Sequence, residues 1–258
     1  MDTPTLNPSV SHPVASRADW LAGRLALLAR EKELTHLRDR IAQDRQALPW
    51  VRLDKAYAFD TEAGRRTLDQ LFQGRRQLLV QHFMLAPEWE EGCRSCSFMT
   101  DHLVGAAPHL AQRDLAVLLV SRAPLDTIQR FRRRMGWDFE WVSAHDSDFN
   151  LDFGVSFPPE RRVDGAVHYN YHLTPFPQVE APGISFFFRD DAGAVFHTYS
   201  TYGRGVEAMM MSYDLLDMAP RGRDEGGLAY GMEWVRHHDR YEAPATAAPA
   251  SSCCGPRA

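Results

Sequence analysis

The stretch QLLVQHFMLAPEWEEGCRSCSFM, residues 77 to 99, decides how the rest of the chain is read. Its opening, Gln77 to Leu85, is an apolar run of strand length and reads as a buried strand. Its end begins a helix, because Cys96, Met99, Leu103, Ala106 or Ala107, and Leu110 fall on one helical face. Between the two lies Cys93-Arg94-Ser95-Cys96, so the two thiols meet unequal surroundings. Cys96 points toward the core with the apolar face, whereas Cys93 sits at the exposed edge of the first turn. Free N–H groups and the positive dipole end of a helix stabilise a thiolate there, and Arg94 adds a nearby cation. Cys93 is the expected nucleophile, and Cys96 is placed to resolve a mixed disulfide from within the helix turn.

Outward from this junction, the region from Val51 to Met218 alternates strand and helix signals, which implies α/β layering. Leu115 to Ser121 reads as a second buried strand, Pro124 to Met135 as a helix with Pro in its first turn, and Phe139 to Ser143 as a short strand. Ile184 to Arg189 and Ala194 to Tyr199 form a hairpin across Asp190-Asp191-Ala192-Gly193. A long Pro-rich connection from Val155 to Gly183 carries His168, Tyr169, Tyr171 and His172. Gly205 to Asp217 has helical spacing. Upstream, Ser16 and Asp19 start a helical pattern that runs to Ala47 and stops at Pro49. Trp20, Leu27, Leu34, Ile41 and Leu48 recur every seven residues in it, but Gly23, Arg30 and Asp44 interrupt the second apolar column of a coiled coil. It is expected to lie across its own domain or a partner subunit. The resulting division is a flexible lead (1–15), a helical arm (16–49), a domain with a C-terminal aromatic extension around Trp234 and Tyr241 (50–242), and a disordered tail (243–258).

The chain has 258 residues, 44% of them hydrophobic and 24% charged, and a net charge of −5. That composition is globular, and it supplies no basic field for nucleic acid. No secretory leader and no run of about 18 to 20 apolar residues is present, so neither export nor membrane association is expected. The expected location is the reducing cytoplasm, where a Cys-x-x-Cys serves redox or metal chemistry and not a permanent staple.

Two readings of the dithiol stay open at this point. In the first it exchanges disulfides with a thiol or disulfide substrate and a cellular reductant, and no cofactor is needed. In the second, His197, on a strand with Val195 and Tyr199, turns toward Cys93 and completes a Cys93, Cys96, His197 set suited to copper. His82, on the strand leading into the dithiol, and His102, on the helix after it, are expected to be structural or exposed and not part of the site. Cys253 and Cys254 form a tail pair able to reach the site through a linker. A peroxidase reading meets an obstacle, because Pro87 is followed by Glu91 and Cys96 without the Thr or Ser such sites use. Association through the arm points to a homodimer.

The segments LLVQHFMLAPEWEEGCRSCSF, VSRAPLDTIQRFRRRMGW, SDFNLDFGVSF, APGISFFFRDDAGAVFHTYSTYGRG and EWVRHHDRYE, in this order, resemble the bacterial domain-of-unknown-function family 899 from about Trp20 to Tyr241. Its members are regarded as thioredoxin-like dithiol-disulfide oxidoreductases. The resemblance implies a three-layer thioredoxin-like fold of peroxiredoxin type around a central mixed sheet, with Cys93 and Cys96 as the active pair. In such folds a cis proline before the strand after the long connection shapes the substrate groove; Pro182, in Glu180-Ala181-Pro182-Gly183, holds that place. Family members more often carry Pro after the first cysteine, where this chain has Arg94, and that residue tunes thiolate stability.

Overall fold

The computed structural model describes residues 12–242. Helix α1 (Arg17–Ala47) opens on Ser16, whose hydroxyl accepts the Asp19 N–H at 3.1 Å, as the start signal predicts. None of its residues is buried, and it meets the domain at its C-terminal end, where Arg45 lies over the Tyr199 ring at 5.4 Å, so most of its length does not lie across its own domain as one reading of the sequence expects.

Strands β1 (Val51–Arg52), β2 (Ala58–Thr61) and β3 (Gly64–Thr67) precede the core. The core itself is β4 (Gln77–His82), α2 (Arg94–Ala111), β5 (Leu115–Ser121), α3 (Leu125–Arg134) and β6 (Glu140–Ser143). β4, β5 and β6 are parallel neighbours, and both crossovers run in the same direction along the sheet, so α2 and α3 cover the same face. A one-turn helix α4 (Phe149–Asp152) and the hairpin β7 (Ala166–Tyr169) and β8 (His172–Pro175) occupy the long connection. β9 (Gly183–Arg189) then pairs antiparallel with β4, and β10 (Val195–Tyr202) pairs antiparallel with β9. The eight-stranded order β1-β10-β9-β4-β5-β6-β2-β3 contains the thioredoxin core β5-β4-β9-β10, extended by β6 and the β2–β3 hairpin on the β5 side. This is the thioredoxin-like, peroxiredoxin-type fold that the family resemblance implied.

Alternation along β4 divides the interior. Leu79 and Phe83 face α2 and α3 with Cys96, Met99, Leu103, Phe131 and Trp141, while Leu78 and Val80 face Phe59, Leu71, Phe149 and Phe187 on the other side. The expected helix at 205–217 is split into a 3₁₀ segment (Gly203–Met209) and α5 (Met211–Met218). This region and the chain after it lay Met210, Tyr213, Trp234 and Val235 against the α2 side of the sheet. No helix among the described residues is long and apolar enough to cross a membrane.

Candidate active site

Cys93 is the N-cap of α2, at the end of the loop that leaves β4. Gly92, just before it, has no room for a side chain: a Cβ there would stand 2.5 Å from Phe83 and 2.8 Å from Phe131. The Cys93 N–H donates to the Met84 carbonyl at 3.0 Å, which ties the helix start back to the strand end. Both cysteines are free thiols, Cys93 partly exposed and Cys96 1% exposed.

The environment separates their acidities. Cys93 is lowered to about 7, first by a hydrogen bond from the Cys96 thiol, then by the Cys96 and Ser95 N–H groups and the Arg94 charge, against the opposing effect of burial. Cys96 is pushed up, because its proton is held on Cys93 and because it is buried. In the pair the outer sulfur therefore ionises first and the inner one keeps its proton longer. The Cys96 carbonyl accepts from Gln81 Nε2 at 3.1 Å and from Thr100 Oγ1 at 2.9 Å, which fixes the first turn against β4.

Arg94 is exposed and donates to the Tyr230 hydroxyl at 3.3 Å. The peptide before Pro182 is trans, not cis, since the described residues contain no cis bond. Ala181 N–H donates to Val155 O at 2.8 Å and the Pro182 carbonyl accepts from Tyr169 Oη at 2.7 Å, which fits an extended entry into β9. Tyr169 is itself buried, and that burial opposes its ionisation. Glu180, 2% exposed, pairs with Arg122 at 3.2 Å and accepts from Ser156 Oγ at 2.5 Å. Burial raises its carboxyl to about 7.

His197 does not face the dithiol. A bulge between His197 and Tyr199 breaks the strand alternation that would put Val195, His197 and Tyr199 on one face. Tyr199 packs on Phe186 on the α2 side, while His197 rests on Phe153 and Phe187, across the sheet from Cys96. Its Nε2 meets Ser200 Oγ at 2.7 Å, and a chain of hydrogen bonds continues through Ser185 to His82, which burial lowers to about 4. The copper set Cys93, Cys96, His197 is thus not assembled. Among the described residues no three His, Cys, Asp or Glu side chains stand together as a metal site. His102 is structural, bonded to the Phe98 carbonyl at 2.6 Å and Ser212 Oγ at 2.7 Å. Cys253 and Cys254 lie outside the described residues.

The sequence reading missed the groups that hold the dithiol loop from outside. Glu91 pairs with Arg134 at 2.8 Å and with Arg240, and Arg134 pairs with Asp239 at 2.8 Å. Arg134, at the end of α3, therefore ties that helix to both the dithiol loop and the C-terminal segment. His237 Nε2 lies 2.9 Å from the Gly92 carbonyl. A groove of about 940 Å³ lies elsewhere, along the C-terminal half of α2, with Leu79, Leu110, Phe186 and Arg45 in its walls.

No curated protein matches the chain. Among solved structures, peroxidoxin BcpB from Mycobacterium tuberculosis is similar at 14% identity and a TM-score of 0.39, covering 61% of this chain and 93% of that one. Peroxiredoxin Q from Xanthomonas campestris is similar at 12% identity and a TM-score of 0.39, covering 62% and 89%. A mutant PrxQ from Xylella fastidiosa is similar at 11% identity and a TM-score of 0.37, covering 63% and 89%. The family model of DUF899, bacterial protein of unknown function, matches residues 9–241, and the chain belongs to that family.

Proposed function

We propose that the protein is a dithiol-disulfide oxidoreductase acting through Cys93 and Cys96. The observation that carries this reading is the unequal pair at the start of α2: an accessible sulfur lowered to about 7 and a buried one that keeps its proton. The Cys93 thiolate attacks one sulfur of a substrate disulfide, forming a mixed disulfide, and the other substrate sulfur departs as a thiolate and takes a proton from solvent. Cys96 then gives up its proton and attacks Cys93 Sγ. The mixed disulfide breaks, the second substrate sulfur leaves as a thiol, and the protein holds a Cys93–Cys96 disulfide. Two electrons pass from protein to substrate, and a cellular dithiol or thiol reductant restores the starting state. In reverse the same steps oxidise a substrate dithiol. No bound cofactor enters either direction, and the reducing cytoplasm is the compartment that would supply the reductant.

Cys96→Ser removes the resolving sulfur and leaves the attacking one, so it is expected to accumulate a covalent mixed disulfide with substrate through Cys93, visible on non-reducing gels and lost with added dithiothreitol. Cys93→Ser should trap nothing. Equal trapping by both variants, or by neither, would contradict the assigned roles.

A further inference from the structure

His237 is 2% exposed and lies 145 positions along the chain from the residue it binds. One ring nitrogen, Nδ1, is 3.2 Å from Arg134 Nη2, and a guanidinium can only donate. Nδ1 is therefore the acceptor, and the ring proton sits on Nε2, which donates to the Gly92 carbonyl at 2.9 Å. Arg134 is itself anchored by Glu91 and Asp239, and the imidazole lies edge-on to Phe131 at 5.2 Å, so the ring has one orientation.

The Gly92 carbonyl belongs to the same peptide unit as the Cys93 N–H, which donates to Met84 O at 3.0 Å. That peptide is therefore held at both ends, by a side chain of the C-terminal segment and by the end of the β4 region. Its plane is the reference from which the Cys93 φ rotation aims the sulfur, and the N–H groups of Ser95 and Cys96 that favour its thiolate are fixed in α2. If the carbonyl is free to tilt, the sulfur loses its fixed place at the start of α2.

We infer that His237 is the positioning residue of the dithiol, fixing the Cys93 backbone at the start of α2 through the Gly92 carbonyl. The inference rests on the redox reading for its purpose but not for its test. Peptide mapping of iodoacetamide alkylation against pH, in full-length reduced protein with Cys253 and Cys254 replaced by Ser, follows Cys93 directly. His237→Phe fills the buried volume without the donor; it is expected to slow Cys93 alkylation at pH 6.5 about tenfold and move the midpoint up by about one unit. His237→Gln, whose amide N–H reaches the same carbonyl, is expected to restore the wild-type profile. An unchanged midpoint in folded His237→Phe, or a shift that His237→Gln fails to reverse, overturns the assignment. Nitrogen NMR of the wild-type imidazole needs no variant: the proton is expected on Nε2, and a proton on Nδ1 overturns it. If no reversible Cys93–Cys96 disulfide forms, the redox reading fails while both of these outcomes still decide the role of His237.

Discussion

Charge at the dithiol is set by single groups whose surroundings leave them few choices. A sulfur at a helix start gathers N–H donors, while one a turn inward is buried and donates its proton in a hydrogen bond to its neighbour; the difference between Cys93 and Cys96 follows from their places three residues apart. Glu180 shows the converse case of a carboxyl that burial raises from 4.5 to about 7, with Arg122 and Ser156 only partly offsetting it. Between those two values the folded chain keeps a proton that the unfolded chain has released, so stability falls as pH rises through that window. Glu180→Gln is expected to flatten this slope, read as the urea midpoint measured from pH 4.5 to 7.5. A slope unchanged in the variant would show that other groups carry it.

At the scale of elements, the site depends on how closely the loop after β4 approaches α3. Gly92 is required where Phe83 and Phe131 leave no space, and Gly92→Ala is expected to cost about 1 to 3 kcal/mol by displacing the rings or the Cys93 backbone. Thermal or denaturant unfolding measures it, and a loss below about 0.5 kcal/mol would mean that the loop relaxes freely. The strand, dithiol and helix were legible in the sequence because hydrophobic period and turn chemistry are local signals. The β9–β10 hairpin was legible for the same reason. What local signals could not reveal was the bulge that puts His197 and Tyr199 on opposite faces, since it arises in the pairing with β9. The trans geometry before Pro182 and the reach of His237 to Gly92 are likewise settled by contacts distant in sequence. Gln81, a polar residue inside an apolar strand, was the one visible hint of a buried partner such as the Cys96 carbonyl.

Across the whole molecule, the C-terminal segment acts as a brace. Tyr213, Trp234 and Val235 pack on the α2 side, and Asp239 and Arg240 join Arg134 and Glu91, so the dithiol loop is held from a part of the chain far from it in sequence. Helix α1 is the opposite case. None of its 31 residues is buried, and seven large apolar side chains from Trp20 to Ile41 stay exposed along about 33 Å of helix. Helices owe most of their stability to packing of an apolar face, so this one is expected to be covered by a second copy of the chain. Light scattering is expected to give twice the 29.3 kDa chain mass, and Leu34→Asp with Ile41→Asp to give the single mass. A monomeric wild type would contradict this.

The central claim is that Cys93 and Cys96 form a reversible two-electron couple. Equilibration of the full-length protein, with Cys253 and Cys254 replaced by Ser, in a series of glutathione redox buffers, followed by acid quenching and peptide mass mapping, tests it most directly. The account predicts one reversible transition in which the peptide carrying both cysteines loses two hydrogen atoms, with Cys93→Ser abolishing it. Absence of an intramolecular Cys93–Cys96 disulfide across the whole series would contradict it.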